Sequence, residues 1–317
     1  MNKKKINLAN FNITFGKENK PMLTFFDTIV YPAFKSEEHV KSSNTKNTYF
    51  FFENVEIKEY GDGDYILVGN IIKKTQVEVK TDYVNGKLVE KNEIHSTAPF
   101  SRFIIFLKNH RMILIKNEKD SPTLKNLEYT FDKNAKTIIK NHNNSLLGNK
   151  DKTLRYPSII TNVIALPIAD TVKEVLAEVE KINTFKLRLF PLNGDLDFSD
   201  LCRDTRDFID STGAKTGSII VNSPQSKSIV SDIIDTSSGL VECSLGVKFK
   251  NGLTGTIQSQ KLNGTMECEV AEINISEYSD SVVIEQVKDN PGMGVLSEEN
   301  KNIFEKSIDL IKSLIKN

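Results

Sequence analysis

Ser101-Arg-Phe-Ile-Ile-Phe-Leu-Lys-Asn-His-Arg-Met-Ile-Leu-Ile-Lys116 decides how this chain is read. Two strongly apolar runs, rich in Ile and Phe, flank a tight polar turn, which is the pattern of an antiparallel hairpin. Arg102, Lys108, Arg111 and Lys116 lie along it with no acid among them. Cations spaced in this way suit a phosphate backbone, and a hairpin with a basic tip can lie in or across a groove. The expectation is that Arg102, Lys108, His110, Arg111 and Lys116 contact phosphates.

Upstream, the chain reads as β-rich. Tyr65-Ile-Leu-Val68, Gln76-Val-Glu-Val-Lys80 and Tyr83-Val-Asn-Gly-Lys-Leu-Val89 are strand-like. Asn85-Gly86 marks a type I′ turn, because both central positions need positive φ. Downstream, Ser121 is placed to cap a helix, Pro122 suits its first position, and Leu124, Leu127 and Phe131 give its apolar spacing. Periodicity then vanishes, and residues 143–157 are expected to link two domains.

The second half alternates. Strands are expected at 158–166, 185–190 and 218–221, with a meander over 241–249, 254–260 and 265–270. Helices are expected from Asp170 through Ile182, from Ser199 to Gly213, and from Ser297 to Lys316. Strand runs broken by few helices predict an α+β fold. The expected division is a β-rich basic domain at 1–142 and an acidic α+β domain at 158–317, closed by a long amphipathic helix.

Composition adds an asymmetry hidden in the totals. The 42 Lys+Arg balance 42 Asp+Glu, but residues 1–160 hold 26 basic and 18 acidic side chains, leaving 16 and 24 in the remainder. Such a split suggests a cationic face for a polyanion and another face for a partner, or two halves that attract each other. Within 101–155, Lys119, Lys150, Lys152 and Arg155 join the hairpin cations as candidate nucleic-acid contacts. Tyr49-Phe-Phe-Phe52 and Phe100–Phe106 offer rings that could stack on bases or fill a core.

Cys202, Cys243 and Cys268 form no CxxC pair, so they read as small buried residues of a reducing compartment. The basic N-terminus lacks the apolar core of a signal peptide, and no window approaches the length of a membrane span. A cytoplasmic protein without membrane association is therefore expected. No phosphate loop is present, and the four histidines precede all the cysteines, so a Cys-His pair has no local support.

One acidic run stands out. Asp195, Asp197, Asp200 and Asp204 could hold Mg²⁺ for phosphodiester hydrolysis. The opposing reading is structural: Arg203 and Arg206 neutralise their neighbours, and early aspartates favour a helix N-terminus. The terminal helix carries apolar residues on two sides, to be buried in its own core or in a second subunit.

The segments Asn109-His-Arg-Met-Ile-Leu-Ile-Lys116 and Ser121-Pro-Thr-Leu124, with Ser218-Ile-Ile-Val-Asn-Ser-Pro-Gln225 and the strand Leu240-Val-Glu-Cys-Ser-Leu-Gly-Val-Lys248, give an order of elements that resembles the phage lambda RexA-like exclusion proteins. The resemblance implies a two-domain, dimeric, sequence-nonspecific DNA binder in phage exclusion or antiviral defence, without catalysis or cofactor. Residue chemistry and resemblance together lead to one expectation: a non-catalytic, homo-oligomeric nucleic-acid-binding protein, DNA or RNA, whose C-terminal half engages a protein partner. A metal-dependent nuclease is the first alternative, and a protein–protein adaptor or inhibitor the second.

Overall fold

The hairpin forms as expected, but at the centre of a sheet rather than at its rim. In the computed structural model, which describes residues 2–43, 45, 47–61, 63–258, 266–270 and 280–315 (backbone only at 2, 3 and 267–270), β7 (Phe100–Phe106) and β8 (Arg111–Lys116) pair antiparallel, with Ser101 opposite Lys116. They are flanked by β1 (Asn2–Phe15) and β5 (Asp64–Val84). Beyond β5 come β4 (Tyr49–Tyr60) and β3 (Val40–Lys41). β14 (Met266–Val270) and β9 (Ile159–Ala165) follow each other along β1, and β2 (Lys20–Pro21) folds back on it. The described strands of this ten-stranded sheet all pair antiparallel.

Both faces of the sheet are covered, which is why the hairpin is apolar without alternation. One face carries Phe11, Ile13, Phe15, Phe52, Leu67, Phe103, Ile105, Met112 and Leu114. It packs under the 22–34 segment, whose last turn is α1 (Tyr31–Phe34), under α2 (Leu124–Ser145), and under the last helix of the chain. Phe34 sits at the middle, with its ring 4.8–5.7 Å from those of Phe11, Phe52, Phe103 and Phe131. The other face carries Ile6, Leu8, Ile66, Val68, Ile104, Ile113 and Ile115 beneath Val283, Ile284, Val287 and Met293.

A second antiparallel sheet, in the order β11 (Gly217–Asn222), β10 (Val179–Leu189), β12 (Glu242–Phe249), β13 (Thr254–Gln258), buries one face only. Val179, Ile182, Phe185, Leu187 and Leu189 alternate with exposed residues along β10 and meet α3 (Ala169–Ala177), α4 (Asp200–Ser211) and α5 (Lys227–Thr236). Two more helices, α6 (Asp280–Val287) and α7 (Glu298–Ile315), return to the first sheet. Phe304 and Ile311 of α7 enter the main core with Ile303, Ile308 and Leu314 packed against it, while Ile315 stays exposed. The fold is mixed α+β, and among the described residues no helix is long and apolar enough to cross a membrane.

The chain departs from its expected division. Residues 143–157 do not part the two halves: α2 runs on to Ser145, and β9 beyond the connection pairs with β1. The expected meander is also divided, since β14 pairs with β1 while β12 and β13 stay in the second sheet. Helix boundaries move for local reasons. Thr123, not Ser121, caps α2 in a reciprocal box with Asn126. Val179 and Ile182 leave the α3 pattern and open β10. Residues 259–260, 265 and 316 of the expected elements, and the side chain of Cys268, lie outside the described residues.

Candidate nucleic-acid interface

Burial of the hairpin removes three of its basic side chains from any surface. Arg102 is buried and donates from Nε and Nη2 to Oδ1 and Oδ2 of Asp280 at 3.0 and 2.8 Å. Asp280 also accepts from Lys58 Nζ at 3.1 Å. His110 and Arg111 are both wholly enclosed. Lys108 is half-buried, bound to Asp64 at 2.8 Å and lying 5.9 Å over the Phe304 ring. Arg102, His110 and Arg111 therefore cannot bind phosphates as expected, because strand burial places them inside. Lys116 stays half-buried at the strand end, and Lys119 is exposed beyond it.

Asn10, opposite Arg111 on β1, shares its face of the sheet. Asn10 and Asn300 donate to Oδ2 and Oδ1 of Asp195, each at 3.1 Å. Asn12 donates to the Pro191 carbonyl at 2.7 Å and accepts from the Asn193 amide at 2.7 Å. This asparagine-rich seam fastens the 191–195 segment of the second half onto β1. The Arg111 guanidinium and both His110 ring nitrogens have no hydrogen-bond partner among the described residues. Burial drives the His110 pKa down to about 3, with the Arg111 charge adding to it. Burial also lowers the Arg111 pKa, opposed by Asp195, and raises that of Asp195, opposed by Arg111.

The remaining predicted cations, Lys150, Lys152 and Arg155, are exposed and gather elsewhere. They lie on the connection between α2 and β9, which is held in shape locally. Asp151 Oδ1 accepts from the Thr153 amide at 2.9 Å. Asn143 exchanges two hydrogen bonds with the Tyr156 backbone, at 2.8 and 2.9 Å. The His142 ring stacks on Tyr156 at 3.7 Å. Opposite stands the β1–β2 turn, where Gly16, at φ +71°, donates to the Ser158 carbonyl at 2.8 Å. Between them runs a groove of about 370 Å³, lined by Lys17, Lys20, Phe25, Arg155 and Tyr156 among others. Lys20 pairs with Glu18 at 3.1 Å, while Lys17, Lys150, Lys152 and Arg155 form no ion pair among the described residues.

The acidic run does not converge. Asp195 is held in the seam, Asp197 accepts from Arg206 Nε at 2.8 Å, and Asp200 and Asp204 lie on the outside of α4 against Arg203, at 2.9 and 3.6 Å. Asp195 and Asp197 share a cavity of about 180 Å³ with Asp207, Asp210, Arg206 and Lys215, but Asp200 and Asp204 do not line it. Among the described residues, no three His, Cys, Asp or Glu side chains are grouped to hold a metal ion. Arg206 further donates to the Phe190 and Leu240 carbonyls, so this arginine fastens a loop.

Lys17, Lys20, Phe25 and Tyr156 were not among the residues expected from sequence. They are brought together by the β1–β9 pairing, a contact between distant segments that leaves no local pattern. The charge run Lys150-Asp-Lys152 was the accessible signal in the sequence. No protein-family model matches the chain, and no curated protein matches it in sequence.

Proposed function

We propose that this protein binds nucleic acid without regard to sequence, along the groove between the β1–β2 turn and residues 150–157. One observation carries the reading. Lys17 and Arg155 are exposed, form no ion pair among the described residues, and line the groove with two aromatic side chains, Phe25 and Tyr156, and with Glu18, which pairs with Lys20. Lys150 and Lys152 are exposed and, among the described residues, unpaired on the adjoining connection. Cations spaced along a groove supply the sequence-independent part of nucleic-acid affinity, and aromatic walls favour unpaired bases. The reading rests on this local site and not on opposite poles of charge, since Arg102 and Lys58 are bound to Asp280 of the other half. Asp200 and Asp204 stand apart from Asp195 and Asp197, which favours binding over cleavage by those four carboxylates. The resemblance to exclusion proteins supports a role in defence against phage.

Salt titration of binding to labelled single-stranded DNA, duplex DNA and RNA is the test. Affinity falls steeply as salt rises, and Lys152→Glu with Arg155→Glu abolishes binding while the fold is kept. No binding by the wild-type protein at low salt refutes the proposal.

A further inference from the structure

β5 is 21 residues long, far longer than the sheet it belongs to. It is paired with β4 up to Lys74 on one side and with β7 from Ile66 to Ile72 on the other. From Thr75 onward its only strand partner among the described residues is β6 (Lys87–Thr97), joined to it by the Asn85-Gly86 turn, with φ of +51° and +80°. The two strands project as an arm. β6 leads into β7, so on the side of β5 that β4 occupies lower down, Thr48 and Asn47 reach Thr75 and Gln76 through their side chains, and above Gln76 no described strand lies beside it.

This arm is unlike a solvated loop. Val77, Tyr83, Val84, Leu88, Val89 and Ile94 are exposed on it, Tyr83 and Leu88 by 69% and 75%. A lone two-stranded hairpin is marginally stable in water, and a long exposed edge with apolar side chains is a template for another strand. The described residues of this chain supply no such strand.

The edge is complementary to itself. Glu78, Lys80 and Asp82 alternate in sign along it, with Val79, Thr81 and Tyr83 between them. A two-fold axis through Thr81 sets Lys80 of one copy opposite Asp82 of the other, twice. It also sets Val79 opposite Tyr83, twice. Cross-strand pairs of these kinds stabilise sheets, and like charges directly opposite destabilise them. An axis through Lys80 would oppose Glu78 to Asp82. An axis through Val79 would run the partner strand onto Lys74, whose edge is already paired with Tyr49. Of these three registers, the one through Thr81 is free of both faults and uses the whole edge from Glu78 to Val84.

We propose that two copies of this chain associate by antiparallel pairing of residues 78–84, joining their arms into one four-stranded sheet. The interface is isologous, so one patch serves both partners. It is independent of the groove proposed to bind nucleic acid.

Sedimentation of the full-length protein over a range of concentrations tests this. The wild type is expected to dimerise. Lys80→Asp and Asp82→Lys, each made singly, place like charges opposite one another twice and weaken the dimer by about tenfold. The double exchange Lys80→Asp/Asp82→Lys restores it. Mixing the two single variants yields a heterodimer, since every cross-strand pair is then of opposite sign, which also shows that both arms fold. A wild type that stays monomeric at high micromolar concentration overturns the proposal. So does a dimer indifferent to both single changes, or single variants that fail to pair when mixed.

Discussion

Arg102 and Asp280 meet through two parallel hydrogen bonds, although 178 residues separate them along the chain. Both side chains are more than nine-tenths buried, so the pair tethers α6 to the centre of the first sheet. Removing one member leaves a buried charge with a weakened partner set. Arg102→Met is expected to cost about 3–5 kcal/mol in urea denaturation, and Arg102→Met/Asp280→Leu substantially less. If the single and double variants were equally destabilised, the lost charge pairing would not be the cause.

His110 gives a pH dependence whose sign is fixed by burial. Its folded pKa, about 3, lies below its ordinary value near 6.5, so the unfolded chain binds the proton first. This residue therefore leaves stability unchanged above about pH 6.5 and lowers it by up to about 1.4 kcal/mol per unit as pH falls toward 3. Asp195 and Glu128, raised by burial, act in the opposite sense, adding stability below their ordinary carboxylate values that is lost as pH rises through the raised ones. The difference between wild type and His110→Asn isolates the histidine, because Asn tolerates the +58° φ at this position. Stability of the variant should fall less steeply between pH 6 and 4.

Gly69 is required by space. A Cβ there would stand 2.6 Å from the Phe103 ring and 2.8 Å from Val55 Cγ2. Gly69→Ala is expected to cost about 1–3 kcal/mol by overpacking. Gly69→Ala/Phe103→Leu should recover part of this, as read by thermal unfolding of both variants.

The nucleic-acid groove has a quantitative signature. Changing Lys17, Lys152 or Arg155 singly to Gln should make the slope of log K against log salt shallower by about 0.7–0.9 for each phosphate that is no longer neutralised. Lys108→Gln, already committed to Asp64, should leave the slope unchanged.

Local chemistry made many of the elements legible. The Asn85-Gly86 turn, the hairpin of β7 and β8, the Ser199 cap of α4 and the terminal helix follow from turn residues, apolar runs and helical spacing close by in sequence. The placement of these elements was not legible. The strands beside the hairpin come from the first and fifth positions in the chain, and α6 covers it from residue 280 onward. Charge read as exposed thus became charge enclosed at Arg102 and Arg111. The same distance hid the groove, because Lys17 and Arg155 meet only when β9 joins β1. Of the basic residues expected to bind phosphate, Lys150, Lys152 and Arg155 on an irregular connection kept their solvent exposure, whereas Arg102 and Arg111 on central strands did not.

The pairings of β1 set an order on the making of this protein. Residues 2–6 leave the ribosome long before 266–270, the strand that hydrogen-bonds them. Until that later stretch has been synthesised, one border of the early strand must wait uncovered. The nascent chain thus carries an adhesive edge through much of its translation, and its maturation is closed by a late zipping step rather than by growth from the front.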